Sequence, residues 1–344
     1  MKPTVEFGIE EEVYITEPEK PTLRSLYYMS KLLWSDPMFW YSHSDSNFAR
    51  GKDVKVSLMG PIEVSTPRAK GAAQAVAELA AVRQKLSQLV DRGLLVPIGQ
   101  LAYVDAPTLT SGLHIHVSGV PDLERAYDNI AHFLPLLLLI TANSPGIIDG
   151  VPVKSYRVLK SYAIGTLVED RLFRFQDIII SRRLGTIEVR VFDPTWDLHR
   201  VGMLLQCLER LATFERRFPV DKSTYRELRQ QAAVRGYNPT LADLYSELCQ
   251  VIEIPETVFA RCPSDDVRDL IEQRTVAGAY AALDFAYRTG CHPFECPAEY
   301  AGNFNPAGMD VVQKLLGLLG YYVAKVPYKL GKVWMEWHKK PNWR

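Results

Sequence analysis

Four short segments of this chain share one pattern, and it constrains the fold more than any other feature. Each alternates apolar residues with charged or imidazole ones at a period of two, the repeat of a β-strand whose faces meet different surroundings. In Phe7-Gly8-Ile9-Glu10-Glu11-Glu12, Glu10 and Glu12 share a face, and Glu11 has the parity of Ile9, Val13 and Ile15. Glu11 is therefore expected among core-facing neighbours. In Ser111-Gly112-Leu113-His114-Ile115-His116-Val117, both imidazoles project from one side and Leu113, Ile115 and Val117 from the other. Gly185-Thr186-Ile187-Glu188-Val189-Arg190-Val191 sends out a carboxylate and a guanidinium opposite three apolar residues. Pro61-Ile62-Glu63-Val64-Ser65-Thr66-Pro67 adds Glu63. Neighbouring carboxylates repel and cost stability unless a cation neutralises them.

The rest of the chain places these segments. Strands are expected over residues 4–15, 54–65 (interrupted at Gly60-Pro61), 113–117, 177–180 and 186–192. Helical periodicity is expected over 68–92, 122–143, 198–218, 223–235, 241–252, 264–289 and 309–328. The strands are not followed one-for-one by helices, which favours an α+β fold with a largely antiparallel sheet over a doubly wound one. We read residues 1–344 as a single catalytic domain, with its core motifs in 5–195 and a mainly helical part over 196–344. The Pro-rich stretch 291–306 is either a linker or an ordered loop.

Composition narrows the partners. Forty basic and forty acidic residues give a formal net charge of zero, so no bulk field draws the chain to nucleic acid or to an anionic membrane. The longest apolar run, around residues 134–140, falls far short of the ~20 residues that span a bilayer and reads as a buried helix. The start of the sequence has no apolar leader. Five cysteines without a CxxC pair read as reduced thiols, although Cys291 and Cys296 flank His292. The expected location is cytoplasmic. Tyr321, Tyr322, Trp334, Trp337 and Trp343 are expected to pack in the core, with a homodimer surface as the alternative.

Carboxylate-rich sites with few nitrogen ligands suit Mg²⁺ or Mn²⁺, which bind nucleotide phosphates through oxygen. The sequence has no Walker A loop, no GxGxxG after a strand, no kinase signature and no GxSxG elbow. Simpler readings of the same residues stay open: a solvated acidic face, histidines hydrogen-bonded under a sheet, and a plain salt bridge between Glu188 and Arg190. The His114/His116 pair also admits a metallohydrolase with Zn²⁺ and a carboxylate base. Arg182-Arg183 is either a phosphate or carboxylate contact or a solvated turn.

Taken in order, Phe7 to Glu12, Ile62 to Pro67, Gly112 to Val117, Ala142-Asn143-Ser144-Pro145 and Gly185 to Arg190 resemble the carboxylate-amine ligase family, also called the type 2 glutamate–cysteine ligase family, of the glutamine synthetase-like superfamily. The resemblance covers roughly residues 5–195. It implies a curved, mostly antiparallel sheet with surrounding helices, whose concave face holds ATP and Mg²⁺ (or Mn²⁺). It implies Glu10, Glu12, Glu63, His114 and Glu188 as metal ligands, Glu188 and Arg190 as catalytic residues, and Arg190 as a phosphate contact. Arg182 and Arg183 are the further candidates for binding the cofactor. The implied reaction activates a carboxylate, typically the γ-carboxyl of glutamate, as an acyl phosphate and joins it to a small-molecule amine. A non-catalytic relative that keeps the sheet is the other reading.

The chain departs from the family pattern at three places. Val56 stands where members usually carry an acid, with Asp53 as a substitute. Pro97-Ile98-Gly99-Gln100 stands near the place of a Gly-Thr-His-Pro segment, and Glu272-Gln273-Arg274 is what survives of an Arg-rich helix motif. Arg157 and Lys154 are expected near the site.

Overall fold

The structure, a computed structural model, describes residues 4–22, 24–35, 44–46, 60–181 and 184–302, with positions 312, 315, 316, 319, 320 and 323 beyond them. In chain order the elements are β1 (Glu6–Thr16), α1 (Arg24–Ser35), β2 (Ser44–Ser46), β3 (Ile62–Ser65), β4 (Ala69–Lys70), α2 (Gly71–Leu89), β5 (Leu94–Val96), β6 (Leu113–Ser118) and α3 (Leu123–Thr141). They continue with β7 (Gly146–Ile148), β8 (Val151–Val153), α4 (Tyr156–Lys160), β9 (Ile178–Ser181), β10 (Thr186–Phe192), α5 (Leu198–Thr213), α6 (Lys222–Arg235), α7 (Pro239–Leu248), α8 (Thr257–Ala260) and α9 (Pro263–Thr289).

The long strand β1 organises the sheet. Its order is β2-β3-β1-β6-β10-β9, and β4 and β5 pair with the two ends of β1. Every pairing in this sheet is antiparallel. The arrangement is an open sheet packed with helices, an α+β architecture. It follows from the alternation, because one face is apolar in every central strand and must be covered. Phe7, Ile9, Leu113, Ile115, Val117, Ile187, Val189 and Val191 form that face and join one cluster with α2, α3 and α5. The run around residues 134–140 lies inside α3, which is buried along nearly its whole length. Asp122 caps α3 by accepting from the Arg125 amide at 3.0 Å.

Among the described residues the expected elements lie within a few residues of the observed ones, with two notable differences; of the strand expected over 54–65, residues 54–59 lie outside the described residues and Ile62–Ser65 is a strand. Helicity stops at Thr213 rather than running to residue 218, and Phe218 turns back into the core beside Phe133. Helix α9 is broken at Thr275, whose φ of 70° no helix allows. Several short pieces carried no usable sequence signal: α1, β2, the three-residue strand β5, the β7–β8 hairpin, α4 and α8. Residues 291–302 form an ordered loop rather than a linker, with Cys296 buried against Leu270, Ala279 and Ala282 of α9. The described positions from 312 to 323 are helical, as the periodicity over 309–328 suggests. Val56, Asp53, Arg182, Arg183, Tyr321, Tyr322, Trp334, Trp337 and Trp343 lie outside the described residues. No helix among the described residues is long and apolar enough to cross a membrane.

Candidate metal and anion site on the polar sheet face

Register brings the charged residues together. Glu10 stands opposite His114, Gly8 opposite His116, and His116 opposite Glu188. Glu12 stands opposite Glu63, and Glu63 opposite Asp45 of β2. Cross-strand partners point to the same side, so these glutamates and histidines share the face opposite the core. A Cβ at Gly8 would make an ordinary van der Waals contact with the Cβ of His116, at 3.7 Å.

The tightest cluster is Glu10, His116 and Glu188, which can each offer one ligand atom with all three within 4.8 Å of one another. His116 Nε2 lies 3.5 Å from Glu10 Oε1, is buried and makes no hydrogen bond among the described residues. Its Nδ1 lies 3.4 Å from Thr186 Oγ1. That contact turns the Nε2 lone pair toward the carboxylates, the usual way a ligating imidazole is oriented. An unpartnered buried imidazole nitrogen between two carboxylates is a donor set that a divalent cation fits.

His114 was the expected ligand of the pair. Its Nδ1 lies 3.5 Å from Glu10 Oε2, so it braces the carboxylate from the other side and stands outside the three-residue cluster. Strand parity placed the two imidazoles on one face. The β6–β10 ladder, which local sequence does not give, is what sets His116 beside Glu188.

The electrostatics of these groups diverge. Burial pushes the pKa of His114 down, and the charge of Arg190 adds to this. Burial also opposes a charged His116, but the nearby carboxylate of Glu10, with help from Glu188, holds its pKa above the ordinary value. Burial would raise Glu10, yet its hydrogen bond with His114 and its close contact with His116 hold it well below the usual carboxylate range.

Glu12 and Glu63 are both buried, and they continue the acidic row beside the cluster. The Gly112 amide donates to Glu12 Oε2 at 2.8 Å. Asp45, which the sequence reading did not single out, occupies the register position beyond Glu63. Arg190 is buried beside the cluster, with Nη1 paired to Glu188 Oε1 and Nε unpartnered among the described residues. The face therefore combines a row of carboxylates, two imidazoles and one guanidinium. It can hold cations and, next to them, an anion.

The opposite face shows what a carboxylate of the other parity does. Glu11 is fully buried and forms a two-point ion pair with Arg83 of α2, Nε at 3.0 Å and Nη2 at 2.5 Å. Tyr287 of α9 donates to the same carboxylate at 2.9 Å. Glu11 is thus a core strut, as its parity predicted.

A second buried polar knot supports the site from below. Asp193, one residue past β10, accepts through Oδ2 from the Asn143 amide at 2.9 Å, from Ser144 Oγ at 2.8 Å and from Ser155 Oγ at 2.9 Å. It also stands where a side chain on Gly99 would be, with Oδ1 only 2.4 Å from the position of that Cβ. This explains the Asn-Ser-Pro segment and the Pro-Ile-Gly segment together, since both meet at one carboxylate.

No family model matches the sequence, and no curated protein matches it. Solved structures do resemble it. One is a bifunctional glutathione synthetase from Pasteurella multocida, at 15% identity and a TM-score of 0.49, covering 85% of this chain and 52% of that one. Another is a complex between the prokaryotic ubiquitin-like protein Pup and its ligase PafA, at 13% identity and a TM-score of 0.42, covering 83% of this chain and 64% of that one. The chain thus spans about half the length of the first and under two thirds of the second.

Proposed function

We propose that this chain is an ATP-dependent carboxylate–amine ligase that activates a carboxylate, such as the γ-carboxyl of glutamate, as an acyl phosphate and passes it to an amine. The observation that carries this reading is the polar sheet face, where Glu10, His116 and Glu188 gather three ligand atoms within 4.8 Å of one another. Glu12 and Glu63 extend that face, and Arg190 flanks it. Four carboxylates and two imidazoles on one side of a sheet are costly to hold together without cations. The ordered sequence motifs add the family resemblance.

In this reading Glu10, His116 and Glu188 hold one divalent ion, and Glu12 and Glu63 are the ligands for a second. Bound Mg²⁺ or Mn²⁺ would offset the charge of the ATP phosphates and so lower the barrier to attack by a carboxylate. Thr186 fixes the ring of His116, and His114 fixes the carboxylate of Glu10. Arg190 is the group for the transferring phosphoryl oxygens, and Glu188 holds its guanidinium in place. The chain's work is positioning and charge neutralisation, which is what phosphoryl transfer asks of a protein.

Phosphate release from Mg·ATP tests the proposal, measured with glutamate alone, with glutamate plus an amino-acid panel, and with neither. Release that requires both a carboxylate and an amine, and that is lost in Glu188→Gln, is the expected result. Absence of ATP binding by calorimetry with Mg²⁺ or Mn²⁺ present would sink it. Bound zinc would then point to the hydrolase.

A further inference from the structure

Strand β10 is irregular where Arg190 leaves it. Its register with β6 runs from Ile187↔Val117 to Val189↔Ile115 and resumes at Phe192↔Leu113. Three steps on β10 therefore face two on β6, which is a β-bulge containing Arg190 and Val191. Peptide groups in a bulge lose their ladder partners and must find others when buried. On one side the Arg190 amide donates to the Asp177 carbonyl at 2.7 Å. On the other, a single guanidinium takes over from the missing strand. Arg157 Nη2 donates to the Arg190 carbonyl at 2.9 Å, and Nη1 donates to the carbonyls of Val191 at 3.0 Å and Phe192 at 3.2 Å.

Arg157 is 1% exposed, and so is a buried cation spent on backbone oxygens. Its position is set from several sides, with Nε the one guanidinium nitrogen that has no hydrogen-bond partner among the described residues. Ser144 Oγ accepts from its amide at 3.2 Å, and Asp193 Oδ1 lies 3.8 Å from Nη1. Gly112 makes room for it, since a Cβ there would lie 2.4 Å from Nη2 and 2.8 Å from His114 Nε2. The Asp177 side is braced too, because Tyr225 and Arg229 of α6 both bind that carboxylate. The peptide of Arg190 is therefore gripped from two directions by groups that are themselves held.

We propose that Arg157 is a positioning residue for Arg190. Its planar fork serves three successive carbonyls, fixes the bulge, and so holds the Arg190 guanidinium on the polar face beside the metal cluster. The proposal rests on the reading of Arg190 as the group that meets the phosphoryl oxygens. A lysine at 157 would keep the charge but supply a compact ammonium in place of the fork, so it cannot serve the same three oxygens. The ligands Glu10, His116 and Glu188 are not bonded to Arg157, so cation binding should survive the change.

The test uses Arg157→Lys and, as a second way of displacing the same guanidinium, Gly112→Ala. Hydrogen exchange of the β10 peptide, residues 186–192, is read in both. Mn²⁺ and Mg·ATP binding are read by calorimetry in Arg157→Lys. We expect faster exchange across β10 in both variants. In Arg157→Lys we expect Mn²⁺ affinity within about twofold of wild type and Mg·ATP affinity about 10- to 100-fold weaker, the usual range for losing a supporting partner. Unchanged exchange in both variants overturns the proposal, as does a parallel loss of Mn²⁺ and nucleotide binding. Faster exchange in a protein whose wild type binds no nucleotide leaves the grip on Arg190 standing and brings down the ligase reading instead.

Discussion

Glu10, Glu11 and Glu12 are chemically identical neighbours in three different environments. Glu10 lies between two imidazoles on the polar face, Glu11 is locked to Arg83 and Tyr287 in the core, and Glu12 takes the Gly112 amide. Substitutions should separate them. Glu11→Gln leaves Arg83 buried without its counter-charge, with one amide oxygen and the Thr195 and Trp196 carbonyls as acceptors. Breaking a buried ion pair from one side costs about 3–5 kcal/mol, and we expect that loss in urea unfolding. Glu10→Gln, on a partly open face with contacts at 3.5 Å, should cost under about 1 kcal/mol in metal-free buffer. Equal losses at the two positions would contradict the assignment of faces. The parity of a strand was enough to foresee this division, because side chains alternate whatever the partner. The partner was not legible. Arg83 lies 72 positions away and Tyr287 lies 276 away, and nothing in the local pattern of either marks it as the mate of Glu11.

At the scale of elements, the long periodic segments could be read and the short ones could not. β1, β6, β10, α2 and α3 carry enough repeats to reveal their period, and each was expected within a few residues. β5 has three residues, all buried, and exists because Leu94, Leu95 and Val96 meet Thr16, Ile15 and Tyr14 of β1. Helix α1 is likewise fixed from outside. Its Tyr28 donates to Asp91 at 2.7 Å and accepts from the Arg92 amide at 2.9 Å, which ties it to the chain leaving α2. Burial alone would raise the pKa of Asp91, but the Tyr28 hydrogen bond and the charge of Lys31 outweigh it and hold it below 3.8. A carboxylate lowered in the folded state stabilises it above the unfolded pKa and loses that contribution as pH falls through the folded one. We therefore expect Asp91→Asn to cost about 0.5–1 kcal/mol at pH 7, a small value because the carboxylate is largely exposed. The gap to wild type should close as the pH falls below about 3.8. A gap that is the same at both ends of the range would show that Asp91 acts without its charge. Gly99 offers a second test at this scale. A methyl group there would collide with Asp193 Oδ1, and Gly99→Ala should cost about 1–3 kcal/mol by thermal unfolding, the range for overpacking a filled core.

On the scale of the whole molecule, the chain is neutral but its charge is not evenly spread. One face of the central sheet is apolar and buried under α2, α3 and α5. The other collects Glu10, Glu12, Glu63 and Glu188, and Arg190, which stands beside them, is already paired with Glu188. Folding brings these carboxylates together from three strands, whereas the unfolded chain keeps them apart in water. A ligand that neutralises them therefore binds the folded state and not the unfolded one, and stability must depend on its concentration. With Mg²⁺ or Mn²⁺ at about 100 times its Kd, the folded state should gain about 2.7 kcal/mol. Urea unfolding in chelator and across a metal titration measures this directly. Glu10→Gln, which removes a ligand shared with His116, should flatten the response, whereas Glu11→Gln should lower the whole curve and leave its metal-dependent rise intact. Monovalent salt at matched ionic strength separates site binding from general screening, because a partly buried cluster is screened far less than an exposed one. A wild-type protein whose midpoint ignores Mg²⁺ and Mn²⁺ would leave the acidic face without its cation, and the ligase chemistry built on it would go with it.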